Sequence, residues 1–347
     1  MSFSVGIVGL PNVGKSTLFK ALTKQKVAIS PRPFTTIHPN IGLVSVPDER
    51  LLKVSQVIKP ERVTPTTIEF VDIAGLIKDA HKGEGLGNQF LSHIRNCDAI
   101  LEIVRTFDSP EVENVLGEIN PEKEIEIVKL ELLMKDLETL ENLTEKTQKK
   151  VPSTDGKKTQ KKIELLEKIK ELVSRGKLIS EIDLTSEEKL AIKDYQFLTE
   201  KPVIYLLNIN NKTFPSSKLN VQHLAINLKD EEEISELPEK DKKELGLSAK
   251  LDDIIKACYI VLDLITFFTI KGGKETRAWT LKRGLNAKTA AGKVHSDFEE
   301  RFIKAEVVPW QKLIEAGSWS GARERGWLQL VGKDYLVQDG DIIEIKI

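Results

Sequence analysis

The sequence predicts an α/β protein: a parallel sheet with helices on both faces, a helical insertion, and a small mixed α+β domain at the C-terminal end. Three observations carry this. Short apolar runs alternate with helical patterns over residues 1–120. A long stretch with apolar residues at three–four spacing then separates them from one more strand at Pro202–Leu207. Beyond residue 264 the pattern changes to a hairpin and short strands.

The first strand is Val5–Val8. It runs into Gly9-Leu10-Pro11-Asn12-Val13-Gly14-Lys15-Ser16-Thr17, which is G-x-x-x-x-G-K-[ST], and then into a helical pattern with Leu18, Phe19 and Leu22. Strand, glycine-rich loop and helix in that order form a cradle for phosphates. The glycines let successive N–H groups turn toward one anion at a helix N-terminus. Asn12, Val13, Gly14, Lys15, Ser16 and Thr17 are therefore candidate nucleotide-binding residues. Lys15 is suited to the β/γ oxygens and the Ser16 hydroxyl to Mg²⁺. Asn12 has two readings: a side-chain oxygen that helps seat K⁺ beside the β/γ bridge, or a brace for the loop.

Pro33–Asn40 lies between the first helix and the strand Ile41–Val46, where a switch loop supplies a threonine to Mg²⁺. Thr36 is preferred over Thr35 because it lies nearer the strand. The strand Thr67–Ile73 ends in Asp72-Ile73-Ala74-Gly75, so Asp72 is a candidate for Mg²⁺ and the Gly75 N–H for the γ-phosphate. Leu76 comes next, at the position where Ras-like GTPases carry the glutamine that orients the attacking water. A leucine can neither donate nor accept, so no catalytic residue is assigned and slow hydrolysis is expected. Gly83–Asn88 is glycine-rich, as a nucleotide-sensing segment should be. His81 and His93 flank it, each either a packed or solvated histidine or a catalytic one. Ala99–Val104 is the next strand.

The insertion has a stripe through Ile125, Val128, Leu132, Leu133, Leu137 and Leu140, and a returning stripe through Ile163, Leu166, Ile169 and Val173, with Val151–Gly156 as the turn. This pattern makes two antiparallel helices of roughly 20–25 residues. Between Glu145 and Lys162 stand seven lysines and two acids. A solvated helix end and a contact with a phosphate backbone both account for this basic tip.

Base choice rests on the residues after the strand Pro202–Leu207. Asn208, Ile209 and Asn211 are the base-side candidates in Asn208-Ile209-Asn210-Asn211. An N-K-x-D motif, whose carboxylate accepts from guanine, is missing. Asn208 can pair with adenine N6 and N7. ATP is therefore expected over GTP. Ser248-Ala249-Lys250 reads as a helix start, and the Leu224–Asn227 region is the better positional candidate for the last base-contacting loop. In the C-terminal domain, Leu264–Thr269 and Thr276–Thr280 form a hairpin around Lys271-Gly272-Gly273. After the hairpin come a helix near His295–Ile303 and strands at Trp327–Val331, Tyr335–Val337 and Ile342–Ile347.

The bulk numbers restrict the setting. The 347 residues carry 52 Lys+Arg against 53 Asp+Glu, so any basic surface is local rather than global. The two cysteines, Cys97 and Cys258, have no zinc spacing and form no framework. Reduced, half-buried thiols and a redox-sensitive thiol are the two readings. No signal peptide or membrane span is legible, so a cytoplasmic setting is expected.

With these residues in hand, the chain resembles the YchF/Obg-like ATPase family, Obg-related P-loop proteins of the translation-factor class. The resemblance is carried by Gly9–Thr17, Pro33–Asn40, Asp72–Leu76, Gly83–Arg95, Arg277–Thr280, Ala290–His295, Asp297-Phe298 and Lys333–Tyr335. It implies a Ras-like, OBG-type G domain with an inserted antiparallel coiled-coil arm and a C-terminal β-grasp TGS domain. The boundaries are 1–121 and 199–263 for the nucleotide-binding domain, 122–198 for the arm and 264–347 for the TGS domain. It further implies ATP preferred over GTP, Mg²⁺ on Ser16 and Thr36, a hydrophobic residue at the glutamine position (Leu76), and association with ribosomal subunits, for which the lysine-rich tip and the C-terminal domain are the candidate rRNA contacts. The family's link to oxidative stress bears on the two thiols.

Three positions depart from the family pattern. Asn211 stands where an N-x-x-E glutamate is common. Asn114 stands where some members carry a histidine proposed to assist hydrolysis. Gln329 stands where relatives often carry a basic residue of the TGS stretch. The expectation is a monomeric, Mg²⁺-dependent switch ATPase on the ribosome, with a GTP-dependent regulator or a non-hydrolysing scaffold as alternatives.

Overall fold

The computed structural model describes residues 3–26, 40–73, 91, 93–149, 156–210, 219, 221–245 and 250–347. In chain order the elements are β1 (Ser4–Val8), α1 (Lys15–Lys26), β2 (Asn40–Ser45), α2 (Glu49–Ile58), β3 (Arg62–Thr64), β4 (Thr67–Asp72), β5 (Ala99–Arg105), α3 (Pro121–Lys149) and α4 (Gly156–Ser174). Next come α5 (Ser186–Ile192), β6 (Val203–Asn208), β7 (His223–Ile226), α6 (Leu228–Glu236), α7 (Glu239–Glu244) and α8 (Leu251–Val261). The last stretch holds β8 (Leu264–Lys271), β9 (Glu275–Lys282), α9 (Ala287–Val294), α10 (Ser296–Glu300), β10 (Lys304–Pro309), α11 (Trp310–Ala316), α12 (Trp319–Glu324), β11 (Gln329–Val331) and β12 (Asp341–Lys346).

The first sheet has the order β2-β4-β1-β5-β6-β7. β4, β1, β5, β6 and β7 run parallel, and β2 is an antiparallel edge. Parallel strands buried on both faces read as continuous apolar runs, and β5 is buried along its whole length. The core between sheet and helices gathers Ile7, Leu18, Phe70, Ile100, Leu206 and Ile254. Loops after the carboxyl ends of such strands form the crevice where ligands bind.

Helices α3 and α4, 29 and 19 residues long, pair along the expected apolar stripes. Leu133, Leu140, Leu166, Ile169 and Val173 share one core with Ile179, Ile192 and Phe197, so the segment after α4 folds back onto the base of the pair. Asp136 of α3, with no exposed surface, fixes that base. Its carboxylate accepts from the Leu198 and Thr199 N–H groups at 2.9 and 2.7 Å and from the Thr199 hydroxyl at 2.7 Å.

The second sheet has the order β11-β10-β12-β8-β9-β3. β8 and β9 are the expected hairpin, and β12 runs parallel to β8. Residues Tyr335–Val337 make only an isolated bridge, Asn286 to Leu336, rather than the strand read from the sequence. The helix near His295–Ile303 is confined to Ser296–Glu300. The sixth strand of this sheet, β3, comes from the first stretch of the chain: Arg62–Thr64 pair in parallel with Glu275–Arg277. Just before it, α2 sets Leu51 and Val54 into a core with Phe268, Val308, Leu313 and Ile342. Among the described residues no helix is long and apolar enough to cross a membrane.

Candidate nucleotide site

The loop after β1 turns through backbone that only small or special residues adopt. Gly9 and Gly14 have φ of 146° and 110°, and Asn12 sits at 63°. A Cβ on Gly9 would lie 2.5 Å from the Ile103 carbonyl oxygen, and one on Gly14 would lie 2.6 Å from Asn208 Nδ2. Both glycines are therefore demanded by close approach as well as by φ. The Leu18 N–H donates to the Gly14 carbonyl at 3.0 Å and closes the first turn of α1.

Lys15 is 8% exposed, and its ammonium donates to the loop's own carbonyls, Gly9 at 3.1 Å and Leu10 at 2.7 Å. Burial pulls its pKa down to about 8, opposed by the charges of Asp72 and Glu124. Ser16, next along the helix, is exposed. Lys15, Ser16 and Thr17 line an open cavity of about 890 Å³ together with Asn12, Gly14, Phe107 and Ile209.

Asn208, at the end of β6, ties this cavity together. Its Nδ2 donates to the Val13 carbonyl at 2.9 Å and its Oδ1 accepts from the Leu228 N–H at 3.2 Å. One N–H and one lone pair of the amide remain for a base. Asn12 Nδ2 donates to the Glu113 carbonyl at 3.3 Å, which gives the bracing reading of that residue a partner. The Leu224–Asn227 region expected near the base is β7 and the N-cap of α6, and Asn227 lines the cavity.

Asp72 ends β4. Among the described residues no group of three or more His, Cys, Asp or Glu side chains gathers to hold a metal ion. A hydroxyl at Ser16 and a carboxylate at Asp72 are hard oxygen donors of the kind Mg²⁺ takes when phosphates and water complete its shell. Thr36, Gly75, Leu76, His81, Gly83–Asn88, Asn211, Ser248 and Ala249 lie outside the described residues. Asn114 binds its own loop, donating to the Glu118 carbonyl and accepting from the Leu116 N–H. Cys97 and Cys258 are buried; burial pushes the Cys97 thiol up to about 12 and Cys258 upward too, which disfavours the reactive thiolate.

Sequence reasoning missed the wall made by residues 107–113 and the carboxylates at the rim. Asp108, Glu111, Asp230, Glu232 and Glu233 all line the cavity. It also missed Glu124, 3% exposed in the first turn of α3, whose Oε2 accepts from the Arg105 N–H at 3.0 Å. Burial raises its pKa to about 7, against the pull of Arg105 and Lys15. The only sequence signal for Arg105 and Glu124 is a charged residue where an apolar strand or helix face is expected.

Fold and loop together define a P-loop nucleotide-binding protein with the GTPase-domain architecture. A family model described as "50S ribosome-binding GTPase" matches residues 4–152, and the YchF GTPase C-terminal model, described as a protein of unknown function (DUF933), matches 264–347. The chain belongs to the YchF family. It is 42% identical to "Ribosome-binding ATPase YchF" of Bacillus subtilis (strain 168), with 100% of this chain and 99% of that one covered. It is 43% identical to the protein of the same name from Escherichia coli O157:H7, with 99% and 98% covered. The solved structure of the Schizosaccharomyces pombe YchF GTPase superposes with a TM-score of 0.86 at 34% identity, covering 99% of this chain and 98% of that one.

Proposed function

We propose that this chain is a slow, Mg²⁺-dependent ATPase that works as a conformational switch on ribosomal subunits in the cytoplasm, as a monomer and with ATP preferred over GTP. The observation that carries the reading is the pairing of a buried Lys15 with an exposed Ser16 in one cavity, whose far side offers the remaining valences of Asn208. Ser16, Asp72 and Thr36 would hold Mg²⁺, which would neutralise charge on the β- and γ-phosphates. The base would lie between Phe107 and Ile209, with Asn208 facing N6 and N7 of adenine. Leu76 cannot position water, so hydrolysis is slow until an ion or partner assists. K⁺ beside Asn12 is one such ion.

The names of the relatives support the ribosome as partner. So do exposed Lys146, Lys149, Lys161 and Lys162 toward the far end of the α3–α4 pair. In the C-terminal part, Arg277 lies over the Trp279 ring at 4.0 Å, and residues 271–347 hold 14 Lys+Arg against 11 Asp+Glu. The parallel β8–β12 contact beside the β8–β9 hairpin supports reading 264–347 as a β-grasp TGS domain, with the arm at 122–198 as a coiled coil.

One observation favours a second reading, a GTP-dependent regulator: the rim carboxylates, Asp230 and Glu233 among them, are acceptors that guanine N1–H and N2–H₂ would use. Competition titration of ATP against GTP with Mg²⁺ decides between the two. Tighter ATP binding is expected, with Lys15→Ala abolishing both. GTP bound tenfold more tightly than ATP would overturn the base assignment.

A further inference from the structure

The cavity wall from Phe107 to Glu113 contains no helix or strand, so its shape must be imposed from outside. Arg105, the last residue of β5 and 2% exposed, does this. Its guanidinium donates to three main-chain carbonyls of the wall: Phe107 at 3.1 Å, Val112 at 2.9 Å and Glu113 at 3.0 Å. It also lies over the Phe107 ring at 4.5 Å. Only a planar fork with several fixed donors spans such a set; a lysine ammonium would reach part of it.

Two further bonds extend this clamp in opposite directions. The Glu113 carbonyl that accepts from Arg105 also accepts from Asn12 Nδ2 of the phosphate loop. The Arg105 N–H donates to Glu124 Oε2, in the first turn of the arm helix α3. A continuous hydrogen-bonded path therefore runs from the phosphate loop, through the cavity wall, to the root of the arm.

We infer that Arg105 is a positioning residue of the nucleotide site, and that the path Asn12–Glu113–Arg105–Glu124 makes the arm respond to what the site holds. The inference rests on the nucleotide-binding reading above. Triphosphate entering the loop repositions Asn12, the shared Glu113 carbonyl passes the shift to the clamp, and Glu124 tilts the first turn of α3. That helix has 29 residues and is about 44 Å long, so a tilt of about 5° at its root displaces the tip by about 4 Å.

The test places spin labels on cysteines introduced at exposed Gln148, near the tip, and exposed Leu52, on α2, and records the distance between them as ATP with Mg²⁺ is titrated. Affinity is measured in the same titration. In the otherwise unchanged chain the distance shifts by several ångströms on saturation. Glu124→Ala removes the shift. Glu124→Gln, which still accepts from the Arg105 N–H, restores it. Arg105→Lys weakens ATP roughly tenfold and removes the shift. Asn12→Gly cuts the path at its solvent-exposed end while tolerating the left-handed backbone there, and at least halves the shift.

A full shift in Glu124→Ala or Asn12→Gly, or its equal loss in Glu124→Gln, overturns the inference. So does an arm that stays still while the unmutated site fills. Failure of that chain to bind ATP would sink the functional reading first, and the affinity curve tells the two failures apart.

Discussion

Lys15 shows how the site is prepared before a ligand arrives. Its ammonium rests on the Gly9 and Leu10 carbonyls, and burial holds its pKa near 8. A bound triphosphate would restore the charged form, because an anion within a few ångströms favours it. At pH 8 about half of the free lysine is neutral, so filling the site takes up about half a proton. Calorimetric titrations at pH 8 in two buffers of different ionisation enthalpy should therefore differ in apparent heat, and equal heats would refute this. Above that pH the apparent affinity falls, since the neutral fraction of the free site grows. The loop itself was legible because glycines at two fixed positions answer to two close approaches, at Ile103 and Asn208. Arg105 and Glu124 were not. Most of their partners are main-chain groups, several of them in a stretch with no helix or strand, and a lone charge beside an apolar run gives no hint of which backbone groups it will meet.

At the scale of elements, long periodic segments were read well and short ones poorly. The two arm helices follow their apolar stripes, although α3 outlasts the expected length because nothing in its sequence breaks it before Lys149. β3 has three residues with no buried side chain among them, so no apolar alternation could announce it. α9 buries only alanines, Ala287, Ala290 and Ala291, and presents no large apolar stripe. Asp136 is the polar exception in the arm, buried to receive three donors from residues 198 and 199. Asp136→Asn turns an N–H₂ toward those donors and should cost about 2–3 kcal/mol of stability, read from urea unfolding. A change below about 0.5 kcal/mol would show that the arm's base is held elsewhere.

At the scale of the whole molecule, α2 and β3 tie the two sheets together. They lie between β2 and β4 in the chain, yet α2 packs in the second core and β3 completes the second sheet. Leu51→Ala should therefore cost about 2–4 kcal/mol, the cost of a buried leucine cavity. Trp310, Trp319 and Trp327 pack against that same core, so their fluorescence should report a lower unfolding midpoint, and an unchanged midpoint would mean the two sheets are not joined there. The same connection sets a timetable for biosynthesis. Arg62–Thr64 leave the ribosomal tunnel about two hundred residues before their partner strand does, an interval of roughly 10–40 seconds at ordinary elongation rates. Throughout it, Leu51 and Val54 have no apolar cover of their own, so the nascent chain must carry a sticky, half-finished surface until its final quarter emerges.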